Sequence, residues 1–479
     1  MTQMDAYDQL FIGWASRDIT PDRPVNLSGQ LYARVTDQVL DPITVTALAL
    51  SDSNGLQAAI LMSLDIAIVE DNLYQAARQR LRQQLPDFQA DHLILFATHT
   101  HNAPAPAVNV FYPPQPEPVL SLEDYTQSLL QAICDAASEA WLARQKGAVS
   151  WGYGQAVVGF NRRPVYFDKT ARMYGKTDDR LFSHLEGCED HGVDFLFTYD
   201  ASEKLTGMII NLACPSQVSE SMLAITADFW HEVRQEIRQQ HGSGLHILPQ
   251  CSAAGDQSPH RLYYKRAAER MLYLHGLARL MEDTRMAERA AIGKNVAEAA
   301  RLVLTAAGHD IRHKAVLRHK KASFELPCRM VSEEEAAIAQ KLVDSNRQML
   351  SEVTEDPAGY AYSHSYVLVH RFQKVIERYQ QQTRQKTLPV EIHTIRLGDI
   401  VIATNRFELF LDYGLRIKAR SPAVQTFVVQ LAGAGSYLPT ERALNNMSYG
   451  ATIENSLVTP QGGQKLVDET LHLIDNLFR

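Results

Sequence analysis

The run His92-Leu93-Ile94-Leu95-Phe96-Ala97 has the length and apolar content of a buried strand, and it ends in Thr98-His99-Thr100-His101-Asn102-Ala103-Pro104. Side chains alternate along a strand, so His99 and His101 leave it on one side. Two imidazoles at a strand end, before a proline-bearing loop, suit a metal ligand beside an acid–base group. A pair of hydrogen-bonded loop histidines meets the same pattern. Further on, Gly255-Asp256-Gln257-Ser258-Pro259 carries a serine but lacks the flanking glycines of a nucleophile elbow. The expectation there is a tight turn at Gly255 and an Asp256 carboxylate that orients a histidine. Cys214 reads either as an inert buried thiol or, deprotonated, as a metal ligand.

These groups need a scaffold, and the hydrophobic periodicity supplies one. Strand-length apolar runs fall at 44–50, 58–64, 193–198, 207–212, 246–248, 390–395 and 400–404. Helical spacing falls at 72–85, closed by Pro86, and at 120–143, opened by the cap Ser121-Leu122-Glu123-Asp124. It recurs at 229–240, 265–307, 332–350, 366–382 and 464–478. The alternation predicts one α/β body over 1–479, with mixed β-sheets flanked by helices and a helical insertion at about 265–382. No internal repeat is visible in the residues.

Composition narrows the function classes. The 479 residues are 45% hydrophobic and 21% charged, with 47 basic and 55 acidic side chains and a net charge of −8. Such a chain folds as an ordinary globule and lacks the basic face of a nucleic-acid binder. The one dense cationic run, Arg312 to Lys321, reads as a solvated face. No apolar stretch reaches the length of a membrane span. Five widely spaced cysteines and a start without signal-peptide character predict a reducing, cytoplasmic setting. The partner expected is a small-molecule substrate, and nothing specifies an oligomeric state.

Six short islands, in order, resemble the catalytic domain of the neutral/alkaline ceramidases. They are Gly13-Trp14-Ala15-Ser16-Arg17-Asp18-Ile19-Thr20-Pro21, Ser63-Leu64-Asp65, the Thr98–Pro104 segment, Asn161-Arg162-Arg163-Pro164, Gly255 to His260, and Arg406-Phe407-Glu408-Leu409. The resemblance runs from about Gly13 to about Thr459 and implies a zinc-dependent amidohydrolase. It implies His99, Glu408 and Tyr437 as ligands of one Zn2+ per chain, and His101 as the substrate-facing imidazole. It also implies Tyr449 and Arg162 as substrate-contacting residues, with Asp256 and Asp65 in support behind the ligands. The immunoglobulin-like domain of that family is not expected, because the sequence given ends 30 residues after Tyr449.

One departure stands out. Where the family carries its second metal histidine, this chain reads Asn211-Leu212-Ala213-Cys214-Pro215-Ser216-Gln217. His231, in the first turn of a helix whose N-cap is Asp228, is the favoured replacement, with Cys214 as the alternative. The expected chemistry is attack of metal-activated water on an amide of a small polar substrate. An esterase or lactonase would use the same site, and a metal-free binding protein would keep the fold without the chemistry.

Overall fold

The computed structural model describes residues 7–104, 112–280, 283–353 and 356–479. Three successive segments repeat one arrangement: three antiparallel strands, a helix, a fourth strand parallel to the third, a loop, and a closing helix. The first unit comprises β1 (Asp8–Asp18), β2 (Thr44–Ser51), β3 (Ala58–Leu64), α1 (Asp71–Gln84), β4 (Leu93–Ala97) and α2 (Leu122–Leu142). The second comprises β5 (Gln145–Gln155), β6 (Gly192–Asp200), β7 (Leu205–Leu212), α3 (Phe229–His241) and β8 (His246–Cys251), then α4 (Lys265–Leu274) in the loop and α5 (Thr284–Ala307). In the third, β9 (Leu317–Pro327) is followed by a hairpin of α6 (Glu333–Glu352) and α7 (Tyr360–Gln381). Then come β10 (Thr387–Leu397), β11 (Ile400–Thr404), α8 (Leu411–Arg420), β12 (Gln425–Val429) and α9 (Pro460–Phe478).

The first two units join through the antiparallel pair β1–β5 into one sheet, in the order β4-β3-β2-β1-β5-β6-β7-β8, extended beside β1 by Lys314–Ala315. The third forms its own sheet, β9-β10-β11-β12. Leu48, Leu61, Phe96, Leu196 and Leu248 of the large sheet pack against Ile395, Ile402, Phe427 and Val429 of the small one. The outer face of the large sheet buries Val45, Met62 and Leu95 under α1 and α2, and Phe195, Met208 and Ile210 under α3 and α5. Val401 and Val428 of the small sheet lie under α8 and α9. The strands carry apolar residues on both faces because each sheet is covered twice.

The fold class read from the residues is borne out: mixed sheets flanked by helices. The helices expected over 265–382 are interrupted by β9. Before it, α5 covers the large sheet and α4 packs on α5, and the α6–α7 hairpin after it interrupts the third unit between two paired strands. The threefold recurrence is topological and leaves no repeat in the residues, because packing needs apolar volume at each position and not a particular side chain.

Candidate active site

The parallel pairs β3–β4, β7–β8 and β11–β12 all end on the same side of the molecule. The Ser216 hydroxyl donates to the Thr98 carbonyl at 2.8 Å, the Gln430 amide to Cys251 O at 3.0 Å, and the Gly255 amide to Leu409 O at 2.8 Å. A crevice outside the carboxyl ends of parallel strands is where α/β sheets place ligands. Here loops from all three units line it.

His99 follows β4 with a φ of 66°, a left-handed backbone that is uncommon outside glycine. Its Nδ1 donates to Ala67 O at 2.6 Å, which leaves the Nε2 lone pair facing Glu408 Oε2 at 3.1 Å. Two acceptors at that distance repel unless a cation or a proton lies between them. Burial disfavours the His99 imidazolium, but Glu408 overrides this and raises its pKa above the ordinary value. Burial likewise works against the Glu408 carboxylate, and His99 and the Tyr437 phenol hold its pKa below the usual range. Glu408 and Tyr437 stand side by side on paired two-residue strands. Gly255 serves here by close approach, because a Cβ at that position would collide with the Glu408 carbonyl.

Arg162, only 6% exposed, donates to the Tyr437 hydroxyl at 3.1 Å and to Gly255 O at 2.9 Å. The rings of Tyr437 and Tyr449 meet edge to face with centroids 5.7 Å apart. Burial keeps both phenols protonated well into the alkaline range. The expected residues His99, Glu408, Tyr437, Arg162 and Tyr449 therefore come together.

His101 lies beside them, 5.1 Å from the His99 ring between centroids. Its Nδ1 faces Glu220 Oε2 at 3.2 Å, and the Gln217 carboxamide nitrogen lies 2.8 Å from its Nε2. Glu220 also takes His260 Nε2 at 3.1 Å, so one carboxylate bridges two imidazoles. Burial lowers the His101 pKa, and the ring rests neutral near pH 7. Behind it, the buried Arg34 bonds the carbonyls of Ser28, His101 and Glu220 and pins the two loops together. Gly29, at φ 95°, leaves room for the His101 ring, which a Cβ there would strike.

Four expectations need correction. His231 is not at this site. It lies on α3, with Nδ1 3.8 Å from Asp41 Oδ1 and Nε2 2.7 Å from Gln235, because the first turn of α3 aims it at the buried Asp41–Arg289 pair. Cys214 is buried in the core under α3, where its Sγ lies 3.4 Å from the Pro215 carbonyl oxygen. Asp65 supports no ligand: it holds Arg234 of α3 bidentately at 2.8 and 3.0 Å and accepts from Thr44. Asp256 orients no histidine, and instead ties Asn161 to the start of α8 through the Leu411 amide. Asp228 does cap α3, and it also takes the amides of Val218 and Ser219, which fixes the loop carrying Glu220. Ser258 accepts the His260 amide and has no base beside it among the described contacts. Glu220, Gln217 and Arg34 were not singled out in the sequence, where each is one polar residue in a polar loop.

Solved structures match nearly the whole chain, among them two ceramidases. One is the neutral ceramidase from Pseudomonas aeruginosa, at 16% identity and a TM-score of 0.67, over 98% of this chain and 75% of that one. The other is a ceramidase complexed with C2, at 14% identity and a TM-score of 0.69, over 98% and 76%. The chain has the neutral-ceramidase fold. No protein-family model and no curated protein matches it. Within this ceramidase-like fold, no three His, Cys, Asp or Glu side chains gather as a metal site among the described residues. His99 and Glu408 need the Tyr437 phenol as a third donor. That set of one nitrogen and two oxygens, with the His99 tautomer fixed by a carbonyl, fits a zinc ion that keeps a position open for water.

Proposed function

We propose that the chain is a hydrolase that cleaves an amide bond in a small polar substrate, with a zinc ion held by His99, Glu408 and Tyr437. The observation that carries this reading is the His99 Nε2–Glu408 Oε2 contact at 3.1 Å, with its tautomer fixed from behind by Ala67. A bound zinc ion supplies Lewis acidity and ionises water near neutral pH. The protein's own groups do the rest. Arg162 holds the Tyr437 phenol in place, and Tyr449, protonated at neutral pH, donates to oxygen charge developing on the carbonyl. His101 rests neutral, so it collects a proton before passing it to a leaving nitrogen. Gln217 must swing off Nε2 for that transfer. Five free thiols fit the cytoplasmic setting proposed here, and among the described residues no helix is long and apolar enough to cross a membrane.

Gentle purification followed by elemental analysis is expected to give about one zinc per chain, as a three-ligand site requires. His99→Ala should lose both the metal and hydrolysis of N-acyl substrates, whereas His101→Ala should keep the metal and lose rate. Equal metal loss in the two variants would overturn this division of roles. An ester and lactone panel beside the amides tests the related activities. The second reading, a metal-free binding protein, rests on the absence of three His, Cys, Asp or Glu ligands together among the described residues. Substoichiometric metal with no hydrolysis would favour it.

A further inference from the structure

The site holds two arginine–tyrosine pairs. In the first, Arg162 donates to the Tyr437 phenol. In the second, Arg371 of α7 lies with its guanidinium carbon 5.6 Å from the Tyr449 ring centroid and bonds the Asn455 carboxamide oxygen. Both guanidinium groups bond neutral acceptors only, and among the described residues neither forms an ion pair. Several other arginines in the same body are matched by acids, Arg163 by Glu186, Arg234 by Asp65, and Arg289 by Asp41 and Glu232, while Arg34 spends its donors on carbonyls that tie loops together. The remaining carboxylate near the catalytic cluster, Glu220, is already held between His101 and His260. Arg162 lies near Glu408, whereas among the described residues no carboxylate pairs with Arg371, so its charge stands beside the crevice without an acid of its own. A planar guanidinium fork recognises a carboxylate in particular.

We propose that Arg371, beside the Tyr449 ring, forms a carboxylate subsite, and that the substrate is an N-acyl compound bearing a free carboxylate a few atoms from its amide bond. The proposal rests on the amide-hydrolase reading above. The spacing follows from the edge-to-face tyrosines. The carboxylate on Arg371 and the carbonyl at the Tyr437 side are neighbours across one pair of rings. Arg371 comes from the α6–α7 hairpin, the one large addition to the third unit, so the hairpin supplies specificity to a site built by the repeated units.

The test compares an N-acyl amino acid with its neutral carboxamide. The intact protein should favour the acid in kcat/KM, with the difference carried mainly by KM. Arg371→Gln should reduce that preference by about ten- to a hundredfold, the size of a lost charge-assisted hydrogen bond. Arg371→Lys, which keeps the charge and loses the fork, should fall between and serves if the glutamine variant does not fold. Equal rates on acid and carboxamide, or a loss shared equally by both in the variants, would overturn the subsite. If the intact protein cleaves neither compound, the amide-hydrolase reading fails, and calorimetric binding decides the subsite separately. Acid binding that depends on Arg371 supports it, and acid binding no tighter than carboxamide overturns it.

Discussion

Glu220 shows how much of a site can depend on a residue that touches no ligand. Burial alone would raise its carboxyl pKa, but His101 and His260 on either side hold it well below the usual range. An ionised Glu220, 3.2 Å from His101 Nδ1, favours the proton on that nitrogen and leaves Nε2 as the basic atom. Glu220→Gln, nearly equal in shape, is expected to retain metal and lower kcat by about ten- to a hundredfold, the range for groups that orient functional histidines. Steady-state kinetics beside metal content checks this, and an unchanged kcat would assign Glu220 a purely structural role. The two histidines were legible because imidazoles just past an apolar run need no partner to be recognised, but the strand ends at Ala97 and the left-handed backbone at His99, not period-two alternation, aims them. Glu408, Tyr437 and Tyr449 were legible only through resemblance, since a single acid or phenol has no local pattern. Glu220 acquires its meaning from His260 and His101, both distant in sequence, and the residues around it offer no signal of that.

The elements that hold the site are joined by buried ion pairs. Asp65, at the end of β3, and Arg234, on α3, cross from the first unit to the second, and both are nearly fully buried. Arg234→Met is expected to destabilise the fold by about 3–5 kcal/mol, the cost of stranding a buried charge. The double variant Asp65→Leu/Arg234→Met should recover part of that loss. Chemical denaturation of the three variants measures it, and a double variant no more stable than the single one would contradict a paired role. Helices α1, α2, α3 and α6 and the apolar strands β2, β3 and β11 were readable within a residue or two, because burial imposes periodicity directly on them, whereas α7 and α9 begin at Tyr360 and Pro460, well before the expected 366 and 464. β5, rich in glycine and glutamine, was not readable. It is a strand because β1 and β6 pair with it on either side, a tertiary effect that local propensity does not carry. β9 was read as a cationic face. It is an edge strand whose exposed lysines discourage pairing with another chain.

At the scale of the molecule, a chain of histidines lies where the two sheets meet. His319 of β9 donates from Nδ1 to Ala58 O in the large sheet at 3.0 Å and meets His393 Nδ1 at 2.9 Å, and His393 continues to Glu391 and Arg78. Burial, with His393 and His92 close by, lowers the His319 pKa well below its ordinary value. The folded state therefore keeps His319 neutral at a pH where the unfolded chain has taken up a proton. Its contribution to stability is present above about pH 6.5 and is lost as the pH falls below that value. Thermal unfolding followed from about pH 7.5 down to about pH 5 should show a falling midpoint, and His319→Gln should flatten the slope. An equal slope in both would remove His319 from the account.

The threefold architecture also bears on how the catalytic centre comes into existence. Gly308 and His309 form an exposed turn between the second and third units. A nick at that turn would leave His99, Arg162 and Glu220 on one polypeptide and Arg371, Glu408, Tyr437 and Tyr449 on the other. Each fragment would keep the main strands of one sheet with their covering helices, with only the short Lys314–Ala315 extension crossing over, yet neither would carry a working set of donors. The candidate site is thus a property of the union of the two sheets, and it would be complete only where the two halves meet and bind.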